Sequence, residues 1–295
     1  MEHILQNILV AERSDDYELL DSGDGQKLER YGRVVLSRPD PQALWPKMLS
    51  KSKWDDISAK FERVRTTGKW QIMKEISDPW QVTLEGITFS LKLLPSKHIG
   101  LFPEQSAQWE WIADKIQTRT TQGNPVYVLN LFGYTGGASL ACAKTGAEVT
   151  HVDSSKFAVD LAMKNRDLSG LKEKPIRFIV DDVRKFAERE IKRGSKYDII
   201  ILDPPVYGKG LKGEVWNIEN DLMSLLLRLK NIISLEPLSV MLNGYASGYS
   251  SMTYSQMLFS AFSDFGGKVS FGELAIKESS GNRLLSSGIF ARWLK

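Results

Sequence analysis

The sequence predicts an α/β protein with a Rossmann-like, doubly wound seven-stranded sheet and an antiparallel last strand, preceded by a small β-rich N-terminal domain. Three observations lead to this prediction. Short, almost entirely apolar runs alternate with amphipathic stretches over the last two-thirds of the 295 residues. Glycines follow the first apolar run, and aspartates end or follow the next three. Before them lies a region rich in tryptophan with the alternating pattern of short strands.

The N-terminal part is the β-rich region, and we place its boundary between residues 96 and 97. Its clearest hairpin is WQVTLEGITFSLKLL, in which Glu85 and Gly86 separate two alternating strands. The stretch KSKWDDISAKFERVR predicts a basic helix. Residues 1–96 are a candidate for substrate recognition, and residues 97–295 form the doubly wound domain.

The seven strands of the larger domain are predicted at VYVLNLF, EVTHVD, IRFIV, YDIIIL, LSVMLN, KVSFGELAI and GIFARWL. Helices are predicted near 105–119, 137–145, 156–168, 184–193, 219–233 and 254–264. Continuous apolar strands separated by amphipathic helices indicate a parallel sheet covered on both faces. The last two strands are joined by KESSGNRLLSSG, which leaves no room for a helix. We therefore expect them to be an antiparallel pair at one edge.

Composition limits the classes of protein that the chain can represent. The formal net charge of +3 permits an anionic partner without requiring one. No apolar run approaches the roughly 20 residues of a membrane helix, and the first residues do not resemble a signal peptide. The single cysteine excludes an internal disulfide, and with three histidines it disfavours a zinc cluster. We expect a cytoplasmic protein without a membrane or metal partner.

The first candidate site is the glycine loop LNLFGYTGG after the first strand of the large sheet. In open parallel sheets, ligands bind beyond the carboxyl ends of the strands. Gly133, Gly136 and Gly137 permit a sharp turn and a close approach of a ligand to the start of the next helix. The second strand ends in Asp153, where an acid can accept hydrogen bonds from both hydroxyls of an adenosine ribose. The alternative is a plain strand-to-helix turn.

The spacing of the glycines distinguishes between nucleotide ligands. The dinucleotide fingerprint is G-x-G-x-x-G, whereas this loop has the order Gly-x-x-Gly-Gly. The second glycine of the fingerprint, which lets a pyrophosphate approach, is missing. A nucleoside ligand without phosphates therefore fits this loop better than a nicotinamide dinucleotide.

The third strand is followed by Asp181, Asp182 and Val183. A carboxylate at this position can accept a hydrogen bond from an adenine amine while Val183 packs on the ring. The alternative is that one aspartate only caps the helix that begins near Arg184.

The fourth strand is followed by DPPVYGKG. Pro204 and Pro205 fix the backbone and offer carbonyls but no N–H donor. Asp203 can accept a proton or hydrogen bond from a nucleophilic amine and so orient its lone pair toward an electrophilic methyl group. Tyr207 and Trp216 are candidates to stack on a planar substrate. A plain turn and core packing of the two rings are the alternatives.

Taken together, these motifs resemble the class I S-adenosylmethionine-dependent methyltransferases. More narrowly, they resemble the family that includes the large-subunit ribosomal RNA methyltransferases producing 5-methylcytosine and 7-methylguanine. The resemblance covers roughly residues 97–295 and rests on HIGLFPEQ, LNLFGYTGGASL, HVDSS, VDDV and DPPVYG. It implies S-adenosyl-L-methionine as the cofactor and RNA, with ribosomal RNA favoured, as the partner.

The resemblance also implies roles for individual residues. The expected catalytic residues are Asp203, Pro204, Pro205 and Tyr207. The expected cofactor contacts are Gly100, Phe102 and Gln105 near the methionine end; Asn130, Phe132, Gly133, Tyr134, Thr135 and Gly136 in the glycine loop; Asp153 and Ser154 at the ribose; Asp182 and Val183 at the adenine; and Asp203 at the reacting end.

Two departures from the family pattern bear on the acceptor. The 5-methylcytosine enzymes use a cysteine after the fifth strand, because attack at a ring carbon needs a covalent adduct. Here LNGYASGYS contains no cysteine, and Cys142 on the first helix is expected to be a buried thiol. We therefore expect a nitrogen or oxygen acceptor. In addition, Val206 occupies the position at which Asp-Pro-Pro-Tyr enzymes have their aromatic residue, and Tyr207 comes one later.

The N-terminal region combines aromatic and basic residues. The segment from Lys51 to Lys74 has seven Lys or Arg against three Asp or Glu. Such a mixture suits phosphate contacts and base stacking, although a tryptophan core with a solvated charged face is the alternative. Six of the eight tryptophans lie in or just after this region: Trp45, Trp54, Trp70, Trp80, Trp109 and Trp111.

The sequence thus predicts an S-adenosylmethionine-dependent methyltransferase that modifies a nitrogen of a base in RNA. Three alternatives stay open. The acceptor can be a protein side chain or a small molecule, or the chain can be a catalytically silent RNA-binding relative. A nicotinamide oxidoreductase would need the glycine spacing that is missing here.

Overall fold

The computed structural model describes residues 6–64, 67–210, 213–245 and 248–295. The strands, in chain order, are β1 (Gln6–Ala11), β2 (Tyr17–Gly23), β3 (Gln26–Tyr31), β4 (Val34–Pro39), β5 (Ala59–Val64), β6 (Thr67–Ile72), β7 (Trp80–Leu84), β8 (Ile87–Leu91), β9 (Tyr127–Leu131), β10 (Glu148–Asp153), β11 (Ile176–Val180), β12 (Ile199–Leu202), β13 (Tyr207–Lys209), β14 (Val215–Asn217), β15 (Ser239–Gly244), β16 (Lys268–Lys277) and β17 (Leu284–Leu294). The helices are α1 (Lys51–Asp55), α2 (Ser106–Thr120), α3 (Gly137–Lys144), α4 (Lys156–Leu168), α5 (Val183–Arg193), α6 (Ile218–Leu229) and α7 (Ser251–Phe262), with 3₁₀ turns at Pro103–Gln105 and Ser263–Phe265.

An eight-stranded sheet, most of which belongs to the larger compact unit, has the order β1-β16-β17-β15-β12-β9-β10-β11. The neighbours from β15 through β11 pair in parallel, whereas β17 runs antiparallel to β15. All seven predicted strands are present, including the antiparallel last strand. The count of seven was wrong, because β1 adds an eighth strand beside β16. This pairing joins segments more than 250 positions apart in the sequence, so no local turn signal announces it.

Alternate residues of the central strands point to opposite faces, and both faces are covered. One face packs against α5, α6 and α7, and the other packs against α2 and α3. This is the arrangement that continuous apolar strands predict. The first face buries Leu129, Leu131, Ile200, Leu202, Val240 and Leu242, and the second buries Val128, Ile199, Ile201 and Met241.

The helices of this unit begin at polar caps that the sequence supplies. The side chains of Ser155, Asp182, Asn217 and Ser250 each accept a backbone N–H from the first turn of α4, α5, α6 and α7. Helix α5 ends at Gly194, which adopts the left-handed conformation with φ 70°. Each cap satisfies a backbone N–H group in the first turn and so defines the residue at which its helix begins.

The smaller compact unit is β-rich, as expected. It contains a five-stranded sheet of order β2-β3-β4-β5-β6 and the hairpin β7-β8. The predicted turn is confirmed, with Glu85 and Gly86 both at positive φ between β7 and β8. The expected long basic helix was wrong. Only Lys51–Asp55 is helical, and β5 follows because Ala59 and Phe61 alternate with polar residues and face inward; Arg65 lies outside the described residues.

The two compact units are not divided at residue 96. The smaller unit comprises Val10–Ala107 and Leu274–Ser287, and the larger comprises residues 6–9, Gln108–Glu273 and Gly288–Lys295. Residues just after 96 belong with the β-rich unit because the Arg38 guanidinium donates to the carbonyl of Lys97. The segment around Glu278 belongs there because its carboxylate accepts from Ser22 and Arg283. Among the described residues, no helix is long and apolar enough to cross a membrane.

Candidate functional site

The candidate site lies at the carboxyl edge of the parallel strands. Strands β12, β9, β10 and β11 are consecutive neighbours and run in the same direction. The segments that follow them therefore meet at one edge, as the sequence predicted. These segments are the glycine loop after β9, Asp153 at the end of β10, Asp181 and Asp182 after β11, and Asp203 after β12.

The glycine loop turns through residues that the sequence did not single out for this purpose. Phe132 and Tyr134 adopt left-handed conformations, with φ 57° and 48°, alongside Gly136 with φ 92°. Such conformations are unfavourable for residues with a side chain, so the surrounding contacts must hold them. The N–H of Gly136 donates to the carbonyl of Gly133 at 3.0 Å and closes the turn.

Gly133 is required for a steric reason. A β-carbon at this position would lie 2.4 Å from Cε1 of the buried His151 ring on β10. A β-carbon on Gly137, at the start of α3, would likewise lie 2.4 Å from the indole of Trp109. At these two glycines the loop therefore packs against neighbouring side chains with no space for a β-carbon.

Asp153 binds the glycine loop directly. Its Oδ2 accepts from the backbone N–H of Tyr134 at 2.9 Å, and its Oδ1 accepts from the N–H of Ser155 at 2.8 Å. Burial raises the pKa of this carboxyl, while the two backbone donors oppose the shift. Each oxygen keeps lone-pair capacity for a further donor, as a ribose hydroxyl would supply. The neighbouring Ser154 is partly buried in the same turn.

A buried polar network supports the loop from below. Asn130 Nδ2 donates to Ser139 Oγ at 2.9 Å, and that hydroxyl lies 2.9 Å from His151 Nδ1. Burial lowers the pKa of His151 to about 4, so the imidazole is neutral. The carbonyl of Thr135 accepts from Asn165 of α4 at 2.9 Å. Three of these supporting residues were not predicted, although a buried polar residue within an otherwise apolar element is a usable signal in the sequence: Ser139, His151 and Asn165.

Asp182 caps α5, which confirms the alternative that one aspartate has this role. Its Oδ1 accepts from the N–H groups of Arg184 and Lys185, and its Oδ2 accepts from the Arg184 guanidinium at 2.8 Å. Burial would raise its pKa, but these donors lower it overall. Val183 is buried in the core beside the strand end. Contact of Asp182 and Val183 with an adenine stays a prediction.

The Asp-Pro-Pro segment leaves β12 at the neighbouring strand end. Asp203 is partly buried, Pro204 is buried, and Pro205 is exposed with its carbonyl accepting from Trp216 Nε1 at 2.7 Å. Beyond it, β13 pairs with β14 as a short ribbon. The pKa of the Tyr254 hydroxyl is raised by burial and by the charge of Asp203, so this tyrosine lies within electrostatic reach of the aspartate.

The two aromatic candidates after this segment differ. Trp216 is buried and packs edge-on against Phe132 with 4.8 Å between ring centroids, so its interpretation as a stacking platform was wrong. Tyr207, on β13, is 54% exposed. Its contact with a substrate stays a prediction.

The lone cysteine has the expected environment. Cys142 is fully buried on α3, and burial raises the pKa of its thiol to about 12. A protonated, inaccessible thiol is no nucleophile at neutral pH. In the ranges that the structure describes, no group of three or more His, Cys, Asp or Glu is placed to hold a metal ion.

The smaller unit contains the segment expected near the methionine end of a cofactor. Gly100 is buried at φ 100°, Phe102 packs edge-on against His98, and the N–H of Gln105 donates to the carbonyl of Phe102 at 3.1 Å. The role of these three residues in cofactor binding stays a prediction.

The tryptophans of the N-terminal region mostly serve the protein's own packing. Trp54 is buried and donates to Asp21 at 2.8 Å, and Trp45 and Trp70 donate to backbone carbonyls. Trp80 and Trp109 are also buried. These five indoles support the core alternative over a nucleic-acid stacking surface.

The fold and this edge define a doubly wound α/β protein with a glycine turn, an acid suited to a ribose and an Asp-Pro-Pro segment at adjacent strand ends. A family model described as S-adenosylmethionine-dependent methyltransferase matches residues 56–248, well over half of the chain. The chain belongs to this family. S-adenosylmethionine is accordingly the cofactor of this family.

Known relatives extend this comparison. The chain is 43% identical over 83 residues, or 28% of its length, to ribosomal RNA large subunit methyltransferase I of Aeromonas salmonicida. It is 30% identical over 208 residues, or 70% of its length, to ribosomal RNA large subunit methyltransferase K/L of Shewanella baltica. These alignments span only 21% and 27% of the relatives' own lengths. A crystal structure of a SAM-dependent methyltransferase from Agrobacterium tumefaciens is 39% identical, with a TM-score of 0.93 and coverage of 98% of this chain and 94% of that one.

Proposed function

We propose that the protein transfers a methyl group from S-adenosylmethionine to a nitrogen of a base in RNA, with ribosomal RNA as the favoured target. The observation that carries the proposal is the pairing of β9 with β12, in which Leu131 lies beside Leu202. The glycine loop begins directly after the first of these residues, and Asp203 comes directly after the second. A nucleoside cofactor and a nitrogen acceptor can therefore meet at this edge.

The chain's own groups suit an aligned transfer. Bound cofactor supplies an electrophilic methyl group on a positively charged sulfur. Asp153 offers carboxylate oxygens to the ribose hydroxyls, and the remaining acceptor capacity of Asp182 Oδ2 suits an adenine amine. Asp203 accepts a hydrogen bond from the nitrogen that receives the methyl group, and this bond orients the lone pair of the nitrogen. The Asp203 carboxylate then takes the proton that the nitrogen releases. Pro204 and Pro205 hold Asp203 by fixing the chain after β12.

The methyl acceptor is proposed from the relatives and from evidence against methylation of a ring carbon. Both named relatives modify ribosomal RNA of the large subunit. The buried Cys142 and the absence of any other cysteine in the sequence argue against methylation of a ring carbon through a covalent adduct. A nitrogen acceptor needs no such adduct. A ribosomal RNA target would place the activity in the cytoplasm.

The smaller unit is proposed as a substrate-recognition region through its charges, because its indoles are engaged internally. Exposed basic side chains occur along α1, β5, β6 and the segment after it. They suit sequence-independent contacts to phosphates. The basic residues in question are Lys51, Lys53, Arg63, Lys69 and Lys74.

The test is transfer of label from radiolabelled S-adenosylmethionine into an extract of cells that lack the protein, followed by separate digestion with nuclease and with protease. Release of label by nuclease supports an RNA acceptor and provides material for identifying the base. Release by protease alone moves the acceptor to a protein side chain. Label found in a small-molecule fraction without either digestion moves the acceptor to a metabolite. No transfer at all overturns the proposed activity.

A further inference from the structure

The larger unit contains a buried arginine that has no acidic partner in the part of the chain that the structure describes. Arg292 lies on β17 and is only 4% exposed. Its guanidinium lies over Trp111 at 4.1 Å and over Phe290 at 4.8 Å from the ring centroids. Burial lowers its pKa to about 9. The two aromatic faces offset part of the cost of burying this charge.

The hydrogen-bond partner of Arg292 is an amide. Arg292 Nε donates to Oε1 of Gln108 on α2 at 2.7 Å, and Nη2 donates to the same oxygen. Gln108 Nε2 then donates to Oδ1 of Asn243 on β15 at 2.9 Å. All three side chains are buried, and they form a relay from β17 through α2 to the end of β15.

The chemistry of arginine fixes the direction of this relay. A guanidinium can only donate, so Gln108 must present its oxygen to it and its amine to Asn243. Asn243 must therefore accept with Oδ1, and its other group, the Nδ2 amine, is a donor. Each amide could otherwise rotate by 180° and so exchange the positions of its oxygen and its nitrogen. One cation therefore sets the orientation of both amides.

The relay ends beside the proposed methyl-transfer site. Strands β12 and β15 pair in parallel, with Leu202 opposite Leu242 as the last paired positions. Asp203 and Asn243 are the next residues on the two strands. Neighbouring strands lie about 5 Å apart, so an acceptor and a donor stand at adjacent strand ends.

We propose that Asn243 is a specificity-determining residue whose amine binds an acceptor atom of the substrate base, and that Arg292 and Gln108 are positioning residues that keep it a donor. This inference rests on the proposed function. Asp203 as an acceptor and Asn243 as a donor together match one kind of base edge. On this edge the nitrogen that is methylated carries a hydrogen, and a ring nitrogen or carbonyl oxygen lies next to it. Exocyclic amino groups and ring imino groups fit this edge. A purine N7 does not, because it has no N–H for Asp203 to orient.

The decisive variants exchange donors for acceptors with almost no change in shape. Gln108→Glu still accepts from Arg292 and adds the missing negative charge, but it has no amine, so Asn243 turns and presents its oxygen. Asn243→Asp replaces the amine directly. The readouts are kcat and KM on ribosomal RNA from cells lacking the protein, cofactor affinity by calorimetry, and thermal stability. Gln117→Glu, on the exposed face of the same helix, is the matched control for adding an acid.

We expect Gln108→Glu to raise the melting temperature while it lowers kcat/KM about tenfold or more, since one base hydrogen bond is replaced by two opposed acceptors. Asn243→Asp should lower kcat/KM similarly, and cofactor affinity should stay within about twofold in both variants. Arg292→Gln can donate or accept, so it should lose activity, whereas Arg292→Lys remains a pure donor and should recover most of it.

Three results would overturn the proposal. Wild-type kcat/KM in both Gln108→Glu and Asn243→Asp would show that the amine does not read the base. Loss of cofactor affinity or of folding in parallel with kcat/KM would reduce the relay to a structural role. A methylated product identified as purine N7 would contradict the proposed edge. If the unaltered protein methylates no RNA at all, the proposed function fails first, and this inference fails with it.

Discussion

The backbone N–H of Tyr134 donates a hydrogen bond to Oδ2 of Asp153 at 2.9 Å, which joins the glycine loop after β9 to the end of β10. The second oxygen of the same carboxylate accepts from Ser155 at the start of α4. One side chain thus holds the loop and remains available to a ligand at the strand end. Removal of this side chain should therefore weaken ligand binding and loosen the conformation of the glycine loop.

For this reason we expect Asp153→Ala to weaken binding of S-adenosylmethionine about 10- to 100-fold, the loss of one or two hydrogen bonds to a charged acceptor. Calorimetric titration of the cofactor measures this. Asp160→Ala removes an exposed acid of α4 that pairs with Lys156 and is the matched control. Unchanged affinity in Asp153→Ala would contradict the placement of the ribose.

The contact between Gly133 and His151 leads to a prediction of non-additivity. Gly133→Ala should destabilise the protein by about 1–3 kcal/mol, because its methyl group would meet the imidazole at 2.4 Å. In a His151→Ala background the ring is gone, so the same substitution should cost about 0.5 kcal/mol or less. Chemical denaturation of the four proteins of this double-mutant cycle provides the measurement. Equal costs in both backgrounds would show that the glycine is needed for another reason.

These residues also show which parts of the site a sequence can reveal. The glycine loop, Asp153 and the Asp-Pro-Pro segment were predictable because each follows an apolar strand within a few residues, and parallel strands bring their carboxyl ends to one edge. The capping role of Asp182 was predictable for the same local reason. Strand β1 and the relay from Arg292 through Gln108 to Asn243 were not. Their partners lie more than 100 positions away, and no local pattern encodes which distant side chains meet.

The smaller unit contains a buried charge pair that should dominate its pH dependence. Glu29 is fully buried and accepts from Arg38 Nε at 2.9 Å and from the hydroxyls of Tyr31 and Tyr17. Burial alone would raise the pKa of Glu29, but Arg38 and Lys27 lower it to about 2. A carboxyl with a depressed pKa stabilises the fold above its unfolded value, near 4.5, and this contribution is lost as pH falls toward about 2.

We therefore expect the free energy of unfolding to decrease over that acid range, and Glu29→Gln to remove much of the decrease. The substitution should itself cost about 3–5 kcal/mol at neutral pH, because it removes the carboxylate that pairs with the buried Arg38. Denaturant unfolding as a function of pH tests both statements. Asp56→Asn breaks an exposed pair with Lys74 and should change the free energy of unfolding far less, because solvent screens such a pair. A similar small cost for Glu29→Gln would refute the argument.

The two aromatic residues of the β13–β14 ribbon should separate stability from substrate binding. Trp216 packs in the core and donates to Pro205, so Trp216→Ala should cost about 3–5 kcal/mol. Tyr207 is half-exposed, so Tyr207→Ala should change stability by no more than about 0.5 kcal/mol. If Tyr207 stacks on a base, its loss should raise KM for RNA about tenfold, in line with the usual strength of such stacking. Thermal unfolding and steady-state kinetics on the same two variants decide the matter, and an unchanged KM would exclude Tyr207 from the substrate site.

Asp203 is the residue on which the proposed chemistry depends most. It directly follows β12, beside the strand end from which the glycine loop begins, and we expect its role to be in turnover and not in cofactor binding. We expect Asp203→Ala to lower kcat by about 10² to 10⁴, the usual contribution of a positioned proton acceptor. Cofactor affinity should stay within about threefold of the unaltered protein, since no cofactor contact other than that at the reacting end is removed. Asp203→Asn keeps an acceptor oxygen but cannot take a proton. It should still orient the substrate in part, so its kcat should lie between that of the unaltered protein and that of Asp203→Ala. Single-turnover transfer of label at saturating cofactor distinguishes these cases, and a wild-type rate in Asp203→Ala would place the catalytic group elsewhere on the edge of the sheet.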